Sequence, residues 1–188
     1  VPGYYFARMY QERSYVVALE GAPLPEEMYL GIDRNGLSFR SQGEILLFGG
    51  GGHRSGKNRQ GGQYEMLQDL ARVFYPGSRE ICRWSAQDCM TLDGIPYIGR
   101  FSRSRPQWYV AAGFGKWGMT SAMVSARILT DLITGRDCRE GDVFSPQRPF
   151  TACAAKTLML QGGHTVKGLA KHLLPAGKVK VIPNCPHM

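Results

Sequence analysis

No apolar run in the 188 residues approaches the ~18–20 needed to cross a membrane, and the longest candidates are interrupted by Gly, Arg or Asp. The opening VPGYYFARMYQERSY lacks the layout of a signal peptide. Cysteine is sparse: Cys82, Cys89, Cys138, Cys153 and Cys185 form an odd, scattered set with no disulfide framework. That pattern predicts reduced thiols and a cytoplasmic setting. Acidic residues are missing altogether from 150–188, where Lys156, Lys167, Lys171, Lys178 and Lys180 supply five of the net +8 charges. These lysines are spaced apart, have no arginine among them and no interleaved aromatics, so nucleic acid is not an expected partner; a solvated linker is. At 20% charged and 43% hydrophobic, the chain is neither disordered nor short of material for one sizeable core or two small ones.

Glycine is abundant: 24 residues, about twice the ordinary ~7% usage. The excess lies in Gly49–Gly52, Gly61-Gly62 and Gly113/Gly115/Gly118, beside apolar strands, which points to close backbone approach. Residues 4–10 and 14–19 read as a hairpin around Gln11-Glu12-Arg13. Residues 28–32 and 37–42 read as a second hairpin turning at Asn35-Gly36, and 44–50 as a further strand. The first fifty residues are thus expected to form an antiparallel meander of about five strands. A polar loop (53–62) leads to a helix with Tyr64, Leu67, Leu70, Ala71 and Phe74 on one face, ended by Pro76-Gly77. A strand follows at 79–88, and WYVAAG (108–113) reads as a short buried strand. The next helix runs from Met119 to Thr134, with Gly135 just past its end. In 151–188 the pattern gives two weak helices broken at Gly162-Gly163 and Pro175.

The strand–glycine loop–helix unit at 108–134 carries the clearest chemistry. Three glycines delivered to a helix N-terminus can present backbone N–H groups, backed by a positive dipole end, to a phosphate, a carboxylate or an anionic ring oxygen. The same spacing fits a tightly packed corner that needs glycine for its turn alone. As a dinucleotide fingerprint, Gly113-x-Gly115-x-x-Gly118 lacks the acidic residue ~20 positions on.

WSAQDCMTLDGIPYIG (84–99) followed by WYVAAGFGKWGMTSAMVSARILTDLITG (108–135) resembles the C-terminal part of FAD-dependent amine and amino-acid oxidoreductases, the glycine, sarcosine and D-amino-acid oxidase superfamily. The resemblance covers roughly residues 4–148. It implies a mixed α/β (α+β) fold: an antiparallel substrate-domain sheet plus the C-terminal strand–loop–helix part of a Rossmann-like FAD-binding domain. It also implies cofactor contacts from Asp93, Gly94 and the loop Gly113, Phe114, Gly115, Lys116, Trp117, Gly118, Met119 and Thr120. Amides near Trp117–Met119 would face the flavin pyrimidine oxygen, where charge gathers on reduction. The family's pyrophosphate-binding glycines have no counterpart in the chain. Where glycine oxidases carry a substrate-binding arginine, five residues before the Asp-Gly pair, this chain has Asp88. An anion there repels carboxylates and attracts ammonium groups, which implies an amine-like substrate or a carboxylate held elsewhere, by Arg54 or Arg83. A loop cap or a salt bridge is the plainer role for Asp88. Gln87 and His53 complete the substrate-site candidates; a solvated loop role for His53 stays open.

Cys185-Pro186-His187 looks like the first box of a Rieske [2Fe–2S] domain, giving one thiolate and one imidazole to two different irons; a chance match or a zinc half-site has the same spelling. A bacterial subgroup of these oxidoreductases resembles the chain at 84–89 and ends in such a domain. The expected organisation is therefore a substrate-domain portion (1–90), the end of an FAD domain (91–148), and a linker into a truncated Rieske domain (149–188). Val1 and the terminal Cys-Pro-His-Met are read as the ends of a piece of a longer oxidoreductase. That parent would use FAD and [2Fe–2S], with a small-molecule substrate and an electron acceptor. The piece alone, lacking the N-terminal FAD half and the Rieske remainder, is expected to hold neither cofactor and to be inactive. The alternative from another class is a non-catalytic interaction module whose basic tail meets an acidic partner.

Overall fold

The computed structural model describes residues 4–32, 36–57 and 61–173. After one helical turn, α1 (Tyr5–Arg8), come β1 (Met9–Glu20), β2 (Tyr29–Leu30), β3 (Ser38–Gln42), β4 (Ile45–Arg54), α2 (Gln63–Phe74) and β5 (Arg79–Thr91). The strands form one antiparallel sheet in the order β2-β3-β4-β1-β5. Alternation along the strands divides its two faces. Val17 and Leu19 of β1 and Leu46 and Phe48 of β4 point to one side and close on Leu67 and Ala71 of α2, making the buried core. Glu12, Ser14 and Val16 occupy the other side, with Ala86 and Asp88 of β5 beside them. Leu67 is fully buried at the centre of the α2 contact. Leu67→Ala is expected to cost about 2–5 kcal/mol in urea unfolding, through lost burial and the cavity left behind.

β6 (Tyr97–Ser102) and β7 (Arg105–Ala112) form a separate antiparallel pair leading into α3 (Gly118–Thr134), followed by the short α4 (Gly141–Phe144) and by α5 (Ala152–Leu173). Gly135 terminates α3 in the left-handed conformation at φ 71°, the geometry expected of a residue just past a helix end. None of the helices among the described residues is long and apolar enough to cross a membrane.

Several expectations are corrected. β1 is one strand of 12 residues with no hairpin at Gln11-Glu12-Arg13. Those residues lack the glycine or asparagine that a tight turn demands, and they stay in the ladder opposite Cys89, Asp88 and Gln87 of β5. Residues 5–8 are helical, so only Met9 and Tyr10 of the expected first strand belong to the sheet. Among the described residues the first fifty contain four strands, and β1 lies between β4 and β5, so they form no simple meander. β4 continues to Arg54 and takes His53 out of the expected loop. β7 is largely exposed, Trp108 to 48%; β6 is its sole strand partner among the described residues. α5 runs unbroken through Gly162-Gly163, because two glycines cost a helix only about 1 kcal/mol each and good helix formers flank them. Asn35 and Pro175 lie outside the described residues.

Candidate functional site

Past Ala112 the backbone turns with Gly113 at φ 77° and Gly115 at φ 53°. A Cβ at Gly113 would fall deep inside the van der Waals envelope of Thr91 Cγ2, so glycine is required there for both conformation and space. The Gly115 N–H donates to the Cys89 carbonyl at 3.1 Å, tying the loop to the end of β5. Lys116 adopts φ 72°, an uncommon conformation for a side-chain-bearing residue. The Trp117 N–H donates to the Phe114 carbonyl at 2.9 Å and closes the turn. α3 then starts with no side-chain cap and no acidic residue in its first turn. Its leading amides, Gly118 to Thr120, have no helical acceptor, and the positive end of a 17-residue helix is uncompensated.

Two cavities meet at this loop. The first, about 460 Å³, is lined by Thr91, Gly94, Gly113, Phe114, Trp117 and Thr120, among others. Thr91 is 4% exposed and its Oγ1 is buried without a hydrogen-bond partner. The second, about 760 Å³, lies on the sheet face away from α2, shares Gly115 and Trp117 with the first, and adds Lys116. Glu12 and Asp88 stand directly opposite each other on β1 and β5 and both line it. Lys116 Nζ lies 3.6 Å from Glu12 Oε2, bridging loop and sheet. Asp88 makes no ion pair among the described residues, so the cavity wall carries one uncompensated carboxylate.

The four-glycine run is part of this second wall. Gly49, Gly50 and Gly52 line the cavity, and a side chain at Gly52 would start 3.1 Å from Lys116 Nζ. Gly51 sits at φ 66° where the β1–β4 register slips, and a Cβ there would meet Gln63 Oε1 at 2.6 Å. This is a bulge, and it changes which face the following residues take.

Of the sequence candidates, Gly94, Gly113, Phe114, Gly115, Trp117 and Thr120 line the first cavity, while Lys116 and Asp88 line the second. Gly118 and Met119 open α3, and the Met119 side chain is 88% exposed. Asp93 is turned to another task. Its carboxylate accepts from Arg148 Nη2 at 2.7 Å and Nε at 2.8 Å, and from the Ile95 N–H at 3.2 Å. Burial pushes that carboxyl up, but these donors outweigh it and hold Asp93 below the usual carboxylate range. His53 and Gln87 line neither of these two cavities. His53 Nδ1 donates to the Arg54 carbonyl and Nε2 meets the Tyr15 hydroxyl, both at 2.9 Å, with Tyr15 packed against Tyr64 of α2. Gln87 alternates with Asp88 and points away from the second cavity. Arg83 stacks on Tyr64, and Arg54 lines a separate cavity against α5. Cys185 and His187 lie outside the described residues, among which no group of three or more His, Cys, Asp or Glu side chains could hold a metal. Cys82, Cys89, Cys138 and Cys153 are free thiols.

Thr91, Glu12 and Arg148 were not anticipated as site or supporting residues. Thr91 stands inside the T-x-D-G segment and could have been found there; Glu12 and Arg148 gain their roles only through long-range pairing.

Known proteins resemble the chain in sequence and in fold. Residues 3–132 match the profile of the DAO family, described as FAD dependent oxidoreductase. A Bacillus subtilis (strain 168) protein named as a Rieske 2Fe-2S iron-sulfur protein, YhfW, is 40% identical over 152 residues, 78% of this chain and 30% of its own length. Glycine oxidase from Geobacillus kaustophilus shares the fold at a TM-score of 0.63 and 22% identity, over 77% of this chain and 40% of that one. L-amino acid deaminase from Proteus vulgaris, with its specific insertion sequence deleted, does so at 0.57 and 19% identity, over 76% and 37%. The chain thus spans less than half the length of each of these relatives.

Proposed function

The chain belongs to the DAO family of FAD-dependent oxidoreductases, and from that premise we infer that the loop 113–120 takes the flavin ring while the adjoining sheet face takes a CH–NH substrate, an amine or amino-acid-like compound. The observation that carries this reading is the meeting of two cavities at Gly115 and Trp117, one edged by uncapped helix amides and the other by an uncompensated carboxylate.

The residues present fit the ring. The amides of Gly118 to Thr120 and the unpartnered Thr91 hydroxyl offer donors at the first cavity, and Gly113 keeps the wall thin where a side chain would intrude. When bound, FAD supplies a two-electron acceptor for hydride. The uncapped α3 terminus stabilises negative charge held at the cavity edge, with no reorganisation needed. Asp88 favours a cationic nitrogen in the neighbouring cavity and disfavours a free carboxylate, while Glu12 is matched by Lys116. Trp117 and Phe114, at the first cavity, limit water there. The finer reading is that the full-length protein also carries a Rieske [2Fe–2S] centre for one-electron transfer, with Cys185 and His187 as a thiolate and an imidazole ligand. The name of the B. subtilis relative supports it.

The test is the absorbance of full-length protein, titrated anaerobically with a panel of amines and amino acids. The flavin band is expected, and amines are expected to bleach it. Asp88→Asn should weaken half-saturation by a cationic amine about tenfold, equal to ~1.4 kcal/mol, with smaller losses for substrates bearing a carboxylate. Purified protein that binds no flavin would end the reading.

A further inference from the structure

α5 does not close tightly onto the ends of β1 and β4 beside it. Leu158, Gln161, Gly162 and Thr165 share one helical face and, with Met9, Tyr10, Arg54 and Ser55 opposite, enclose a cavity of about 530 Å³. Gly162 is in the facing stripe, yet nothing lies within 4 Å of where its Cβ would be. A helix seated only for packing would draw in over such a residue; here the space is kept open. Ser55 Oγ on one wall and Gln161 Oε1 on the other are both buried without partners, a cost of about 1–3 kcal/mol each that a ligand would remove.

Cations outnumber acids around this seam, where Glu12, paired with Lys116 and opposite Arg54 in the β1–β4 ladder, is the carboxylate that acts on Tyr10. Arg54 lines it and makes no ion pair among the described residues. Residues 53–57 and 152–173 contain no acid at all. Lys57 and Lys167 are close enough, with Arg54, to act on His164: partial desolvation and then these three charges hold it below the usual histidine range. The same cavity also has apolar wall, from Phe6, Met9, Leu158 and Val166.

We infer that the seam between α5 and the ends of β1 and β4 is a binding site for an amphiphilic carboxylate, its hydrocarbon body against Met9 and Leu158 and its anionic head at Arg54 and Ser55. The Ser55 hydroxyl donates to the head. The Gln161 amide, turned about its last bond, presents N–H to the same oxygen. A cavity of this volume falls within the ordinary range for small-ligand sites. The site is separate from the glycine loop and independent of what that loop binds.

Calorimetric titration of the full-length protein with octanoate tests this, with octylammonium (same tail, opposite charge) and acetate (same head, no tail) as the comparison arms. Octanoate is expected to bind and the other two are not. Arg54→Gln removes the cation and Gly162→Leu fills the gap while favouring the helix, so the second variant should fold at least as well. Each is expected to weaken octanoate at least tenfold. Absence of octanoate binding, equal binding of octylammonium, or wild-type affinity in both variants would overturn the assignment.

Discussion

Gly113→Ala is expected to abolish flavin binding and to lower the stability of the chain by about 3 kcal/mol, combining left-handed backbone strain with a steric collision. Both terms come from one atom. At φ 77° a side chain is strained whatever the space around it, and the added Cβ would press into Thr91 Cγ2 and approach Met9 Sδ at 3.5 Å. Relief requires either Thr91 or the loop to move, and Thr91 is buried at the end of β5 with little freedom. A loop displaced there also loses the Gly115 N–H bond to Cys89, and the start of α3 moves away from the first cavity. Gly118→Ala is the control. Nothing lies within 4 Å of a Cβ at Gly118, and its φ is not positive, so stability should hold or rise by up to about 1 kcal/mol. Chemical unfolding and flavin titration of both variants, side by side, check the pair of outcomes. Equal losses in the two would mean that glycine is needed throughout for reasons other than the turn.

The contrast between these two glycines marks how far the sequence could be read. The strand–loop–helix corner was legible because its requirements are local: positive φ at Gly113 and Gly115, a helix start, and Gly135 at the far end. The sheet faces were not. His53 belongs to the α2 side because the ladder slips near Gly51, and a one-residue bulge leaves no periodic trace in a run of identical glycines. Gln11-Glu12-Arg13 resemble a turn in composition, but their hydrogen-bond partners on β5 are about 75 residues away, and cross-strand pairing overrides local polarity. Glu12 opposite Asp88 follows from that same register, so its part in the second cavity could not be seen in advance. Gly162-Gly163 suggests a break in a helix because glycine weakens it. Yet weakening is a matter of about 1 kcal/mol per residue, and twenty flanking residues without proline carry the helix across.

Arg148→Met is expected to lower stability by about 3–5 kcal/mol at neutral pH, a fall in Tm on the order of 10 °C for a domain of this size. The Arg148 and Asp93 side chains are 9% and 8% exposed, and the pair is bidentate. Arg148 further donates to the carbonyls of Ile95 at 2.7 Å and of Pro96 and Ser145 at 3.2 Å, and stacks over Tyr97 at 4.3 Å. Arg8 approaches the same ring at 4.6 Å and donates to the Pro146 carbonyl at 2.6 Å. The Asp-Gly turn that delivers Gly94 to the first cavity is therefore clamped to the segment after α4. Methionine keeps much of the volume but leaves Asp93 as a buried, unpaired carboxylate. The pH dependence separates this account from simple loss of packing. In the wild type Asp93 is held below its ordinary range, so its contribution is complete above an unfolded carboxyl pKa of ~3.9 and fades as pH falls through the lower folded value. In Arg148→Met the same carboxyl, no longer paired, takes up its proton more readily, and acid relieves the variant. The stability gap between the two proteins should narrow as pH is lowered from 7 towards about 3. Urea unfolding at several pH values measures that gap, and a constant difference across the range would assign the role of Arg148 to packing on Tyr97 alone.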